Sequence, residues 1–106
     1  MDEDFRKAAL DYHRAMSSLC EELEAIDWYD QRIKASTDAE LQAILAHNRN
    51  EEKEHASMLL EWLRRHDREL DTNMRKFLFS AGPIHEKPAE AGPEPNGSLG
   101  IGSLRR

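Results

Sequence analysis

The first 81 residues contain no glycine and no proline; all five glycines and all four prolines lie between Gly82 and Gly102. A segment free of both helix breakers and rich in Ala, Leu, Glu, Arg and Lys reads as helix almost throughout. About 80 ordered residues is a small number from which to build a self-sufficient core. Small chains of this kind need a staple. Cys20 is the only cysteine, so no intrachain disulfide can supply it. Oligomerisation is the staple that remains, and a reducing compartment fits the cysteine usage.

The apolar residues divide the helical region. Tyr12, Met16, Leu19, Leu23, Ile26 and Ile33 recur at three- and four-residue steps or multiples of them, which predicts a first helix from about Phe5 to Lys34. The break falls at "KASTDAEL", where Thr37 and Glu40 have capping-box spacing. A second helix then runs from about Asp38 to Leu70, with Leu41, Ile44, Leu45, Met58, Leu59, Trp62 and Leu63 as its stripe. The short connection makes the two an antiparallel hairpin. A third, short helix is predicted at Thr72 to Ser80, closed by Gly82 and Pro83. The fold class is all-α, with residues 1–81 as the helical domain.

Residues 82–96 change character. They are rich in Pro, Gly, Ala and Glu and too polar to bury anything, so they read as a linker. The last ten residues, "GSLGIGSLRR", space Leu99, Ile101 and Leu104 with Gly and Ser and end in two arginines. An apolar peptide at the tip of a linker suggests docking. The net charge of −6 argues against nucleic acid and favours cations in a weak, non-specific way. No apolar run approaches the roughly 20 residues needed to cross a bilayer. The acidic start "MDEDFRKAAL" lacks the apolar core of a signal peptide.

The stripe of the second helix is interrupted between Leu45 and Met58, where Asn48, Glu52 and His55 stand. A charged carboxylate on a buried stripe is costly unless it is paired or binds a metal. The first helix has a matching interruption at Glu22, three residues after Leu19 and four before Ile26. Glu22 lies 14 residues before Ser36 and Glu52 lies 16 after it. At 1.5 Å per residue the two differ in height by about 3 Å, which side chains can bridge. Glu52-x-x-His55 with one further glutamate is half the ligand set of a carboxylate-bridged di-iron bundle. A symmetric dimer of hairpins would supply the other half inside a four-helix bundle. The competing interpretation of "EEKE" is a solvated charged helix face.

The residues assembled so far resemble those of the encapsulated ferritins. "EELEAIDWYDQR" (21–32) and "ILAHNRNEEKEHASMLLEWLRR" (44–65) look like the two core segments of that family, and "GSLGIGSLRR" (97–106) resembles its cargo-loading peptide. The resemblance implies a ferritin-like four-helix bundle built by dimerisation, with dimers assembling into a decamer. It implies a ferroxidase that oxidises Fe(II) with oxygen, holding about two irons per dimer on Glu22, Glu52 and His55. It places Tyr29 close to the centre and a second divalent cation at Glu21 and Glu24, with Trp28 nearby. It also implies an encapsulin shell as partner through residues 97–106, a cytoplasmic location inside that nanocompartment, and iron storage by the shell.

Other interpretations stand beside these. Trp28 and Tyr29 could be packing residues, and Glu21 and Glu24 surface charges. His13, His47 and His66 read as ordinary helix residues, His85 as a linker residue and Cys20 as a small interface or core residue. A non-enzymatic helical oligomer, serving as cargo or adaptor through its tail, is the alternative from another functional class. A hemerythrin-like or rubrerythrin-like carrier would need more histidines or more helices.

Overall fold

The computed structural model describes residues 2–86. Most of the 82–96 linker and all of the 97–106 tail lie outside the described residues. Three α-helices follow in order: α1 (Glu3–Ala35), α2 (Ala39–His66) and α3 (Arg68–Phe77), then a single 3-10 turn at Ile84–Glu86. No strand occurs among the described residues, and no helix there is long and apolar enough to cross a membrane. The residues up to His66 form one compact unit, and those from Asp67 onward belong to another.

The turn between α1 and α2 takes three residues, Ser36 to Asp38. The Asp38 carboxylate accepts the Leu41 backbone N–H at 3.0 Å, and its own carbonyl accepts the first helical bond, from Gln42, at 2.9 Å. Asp38 is therefore the N-cap of α2, not Thr37 as the capping-box spacing suggested. An Asp carboxylate accepts this bond at least as well as a Thr hydroxyl. The Ser36 hydroxyl adds a bond from the Asp38 N–H at 3.1 Å. The Gln42 side-chain amide ties the turn down, donating to the carbonyls of Ile33 (3.2 Å) and Ser36 (2.6 Å).

The second helix stops at His66, four residues before the expected end. Asp67 leaves helical geometry (φ −143°, ψ 104°), and its carboxylate caps α3 through the Leu70 N–H at 3.0 Å. A good N-cap residue in the middle of a helical pattern gives the chain a second place to start. The third helix therefore begins before the expected Thr72. It ends at Phe77, well before Gly82, where the Ser80 hydroxyl donates to the Phe77 carbonyl at 2.7 Å.

Within the hairpin, α1 turns Ala15, Leu19, Glu22, Ile26 and Ile33 inward, and α2 turns Gln42, Leu45, Arg49, Glu52, Ala56, Leu59 and Leu63 inward. Both rows alternate three- and four-residue steps or their sums, the spacing of two helices in coiled-coil contact. Only Ala15, Ala56 and Leu63 are buried among the described hydrophobic residues. Met16, Leu23, Leu41, Ile44 and Met58, all expected on the stripes, are exposed. A single neighbouring helix covers only part of a wide apolar stripe, so the remainder forms faces the hairpin does not cover.

Candidate metal centre

The two seam rows bring their acidic interruptions together. Glu22 on α1 and Glu52 and His55 on α2 each offer a ligand atom, and these atoms lie within 4.8 Å of one another. His55 Nδ1 is 3.2 Å from Glu52 Oε1 and 3.5 Å from Glu22 Oε1. The carboxylates are half-buried in the seam, whereas the His55 side chain is 47% exposed, so the cluster opens on its imidazole side.

Two carboxylates at this distance cannot both stay ionised cheaply in the absence of a cation. The hydrogen bond to Glu52 pushes the Glu22 carboxyl above its ordinary value, and burial adds to the rise. The bond to Glu22 chiefly holds Glu52 below the ordinary value, and His55 assists. The Glu52 hydrogen bond raises the His55 imidazole, reinforced by the charge of Glu22. Glu22 thus holds its proton more firmly than Glu52, beside an imidazole that both carboxylates make more basic. A divalent cation would offset the repulsion between the two carboxylates. Two hard oxygen donors with one imidazole suit iron, manganese or zinc.

The other predicted site residues lie apart from this group. Glu21, Glu24 and Trp28 are exposed on α1, and the metal-capable triad found among the described residues does not include them. The Arg32 guanidinium lies 5.2 Å from the Trp28 ring centroid, in a cation–π contact. Tyr29 is half-buried, seven residues and so two helical turns beyond Glu22 on the same face. His47 pairs with Glu51 at 3.2 Å, His66 stacks on Trp62 with centroids 3.8 Å apart, and Cys20 is free and exposed.

One face of α2 surrounds the open side. Ile44, Asn48, Glu51, His55, Met58 and Trp62 follow at steps of four, three, four, three and four. Ile44 and Met58, which flank His55 along the helix, are 53% and 58% exposed.

Sequence reasoning overlooked Arg49. Its Nη1 donates to Asp30 Oδ1 across the hairpin at 2.8 Å. This bond, against a smaller opposing effect of burial, holds the Asp30 carboxyl below its ordinary value of 3.8. A depressed carboxylate lends stability above its unfolded value and loses it as pH falls through its folded value. Carboxyl-carbon NMR is expected to give Asp30 a midpoint below 3.8 that returns toward 3.8 in Arg49→Leu. Equal midpoints would show that the pair does not persist in solution.

A model of the EncFtn-like family matches residues 1–81, both hairpin helices and α3 included. The chain belongs to the EncFtn-like family. An encapsulated ferritin-like protein of Rhodospirillum rubrum is 50% identical over 97% of this chain and 84% of that protein. A ferritin-like protein of Thermotoga maritima is 48% identical over 89% of this chain and 85% of its own length. An encapsulin nanocompartment cargo protein, EncC, of Myxococcus xanthus is 33% identical over 80% of this chain and 77% of that one. The crystal structure of protein ne0167 from Nitrosomonas europaea superposes with a TM-score of 0.70 at 55% identity, over 79% of this chain and 88% of that one. The EncFtn-like chain thus resembles the first three proteins in sequence and the Nitrosomonas europaea protein in both sequence and helical architecture.

Proposed function

We propose that this EncFtn-like protein is a ferroxidase whose centre forms between two copies. The observation that carries the proposal is the meeting of Glu22, Glu52 and His55 from two helices at a seam whose other residues are mostly apolar. Three donors are half of what a pair of irons needs in carboxylate-bridged bundles, and a two-fold partner doubles them. The exposed face around His55 supports the same reading, because Ile44 and Met58 gain a covered environment when a second hairpin closes the site. The relatives described as ferritin-like and as encapsulin cargo support it independently.

In this reading Fe(II) is the substrate. Glutamates from both copies bridge two ions, and each His55 binds one. Each ion gives one electron to oxygen and leaves as Fe(III). The protein's part is mostly positioning: it holds two metals close together with coordination positions open to oxygen. Tyr29, two helical turns from Glu22 on the same face, is assigned a hydrogen-bonding or tuning role toward the centre. Glu21 and Glu24, beside Trp28, form an outer site that draws in a second cation. Residues 97–106 dock the oligomer, a decamer built from five dimers, inside an encapsulin shell in the cytoplasm, and the shell stores the oxidised iron.

Native mass spectrometry of the metal-free protein, repeated after anaerobic Fe(II) addition, tests the shared site. The expected result is an even-numbered oligomer that gains about two irons per dimer, with the oligomer stabilised by mass action. An oligomer that takes up no stoichiometric iron would move the function to a non-enzymatic adaptor.

A further inference from the structure

We propose that the Asp30–Arg49 pair sets the register of α1 against α2 and so holds Glu22 opposite Glu52, acting as a positioning pair for the metal centre; this rests on the metal-site reading above. Arg49 occupies a seam position of α2, between Leu45 and Glu52 in the row that continues through Ala56, Leu59 and Leu63. An apolar residue would satisfy that row. The arginine instead reaches across to Asp30 at 2.8 Å. The two side chains are 25% and 41% exposed, so the pair adds little stability. A polar pair in an apolar seam has another use, which is to make one alignment of the helices better than its neighbours.

Register matters here because the three donor atoms fit within 4.8 Å. A slip of one residue moves them by about 1.5 Å, and a slip of one turn by about 5.4 Å. Gln42 anchors the hairpin close to its turn. The Asp30–Arg49 bond is the next directional link toward the centre, and on α2 it lies one turn from Glu52. Its charge points against a simple electrostatic role. A guanidinium one turn from a cation site weakens cation binding, so removing it on electrostatic grounds alone would raise affinity. A positioning role predicts the opposite sign.

The test is Co(II) titration of the assembled protein, followed by visible absorption, for the wild type and for Arg49→Leu, Arg49→Lys, Asp30→Arg, Arg49→Asp and the double reversal of the last two. Helix content and oligomer mass are expected to stay unchanged in Arg49→Leu, while Co(II) affinity falls by about tenfold or more, within the range seen when outer partners of a metal site are lost. Arg49→Lys is expected to retain most of the affinity. The double reversal is expected to recover affinity that each single reversal loses, with net charge unchanged. Unchanged or higher affinity in Arg49→Leu, or a double reversal no better than its singles, overturns the inference. Cobalt binding with this pattern in a protein that oxidises no iron would overturn the ferroxidase proposal alone. A wild type that binds no cobalt overturns both.

Discussion

Glu52→Ala is expected to abolish both paired-metal binding and fast Fe(II) oxidation. Glu52 links the cluster: it carries the hydrogen bond that depresses its own carboxyl and raises that of Glu22, and it lies 3.2 Å from His55. In a two-fold site one substitution removes a donor from each half, and both irons lose a ligand. The loss should exceed the roughly 10- to 100-fold that follows from removing an outer partner alone. Glu52→Gln is expected to fail nearly as badly, because an amide keeps the size but not the bridging anion. Glu54→Ala, at an exposed acid two residues along α2, is expected to leave both readouts unchanged. The oligomer should survive Glu52→Ala and should need metal less, since the substitution removes a carboxylate that is half-buried without a cation. Oxygen-consumption rates and iron counts per dimer decide the matter. Wild-type oxidation in Glu52→Ala would remove the centre from this place.

The cluster is legible in the sequence because of helix geometry. Residues counted outward from a tight antiparallel turn map onto height at a fixed rise, which puts Glu22 and Glu52 at similar heights and within reach of each other. Their place in the seam was also legible, because each interrupts an apolar row. Arg49 was not legible in the same way. It is one of several charged residues between Leu45 and Met58, and only the three-four alternation through Gln42, Leu45, Arg49 and Glu52 separates it from solvated neighbours. Asp30, its partner, is distant in sequence and carries no local sign of the pairing.

The apolar stripes in the sequence are wider than the surface the hairpin covers, for a physical reason. Periodicity reports which residues avoid water and not what covers them. Leu45, Leu59 and Leu63 face the hairpin partner, while Ile44 and Met58 face away, yet all five belong to one apolar band. The end of α2 is hidden in the sequence for a different reason. Asp67 within "RRHDREL" has ordinary surface character, and its capping role emerges only when its backbone leaves the helix. Local hydrogen bonding there competes with helix propensity and wins.

Truncation before Ser98 is expected to leave metal binding and oxidation intact and to abolish loading into an encapsulin shell. The helical region through Phe77 holds every residue proposed for the centre, so removing the tail leaves the chemistry untouched. Docking would rest on Leu99, Ile101 and Leu104, set apart by glycine and serine. Fully burying one such side chain contributes about 1.5–3 kcal/mol, and ordering the peptide offsets part of the total. A single tail should therefore bind weakly, and retention would come from several tails of one oligomer engaging shell sites at high effective concentration. Co-expression with a shell protein, followed by measurement of cargo per shell, separates the outcomes. A Leu104→Ala variant should load partially, because many slightly weakened contacts still act together, whereas the truncated protein should load not at all. Normal loading of the truncated protein would mean that the helical surface itself is recognised, and the apolar spacing of the tail would need another explanation.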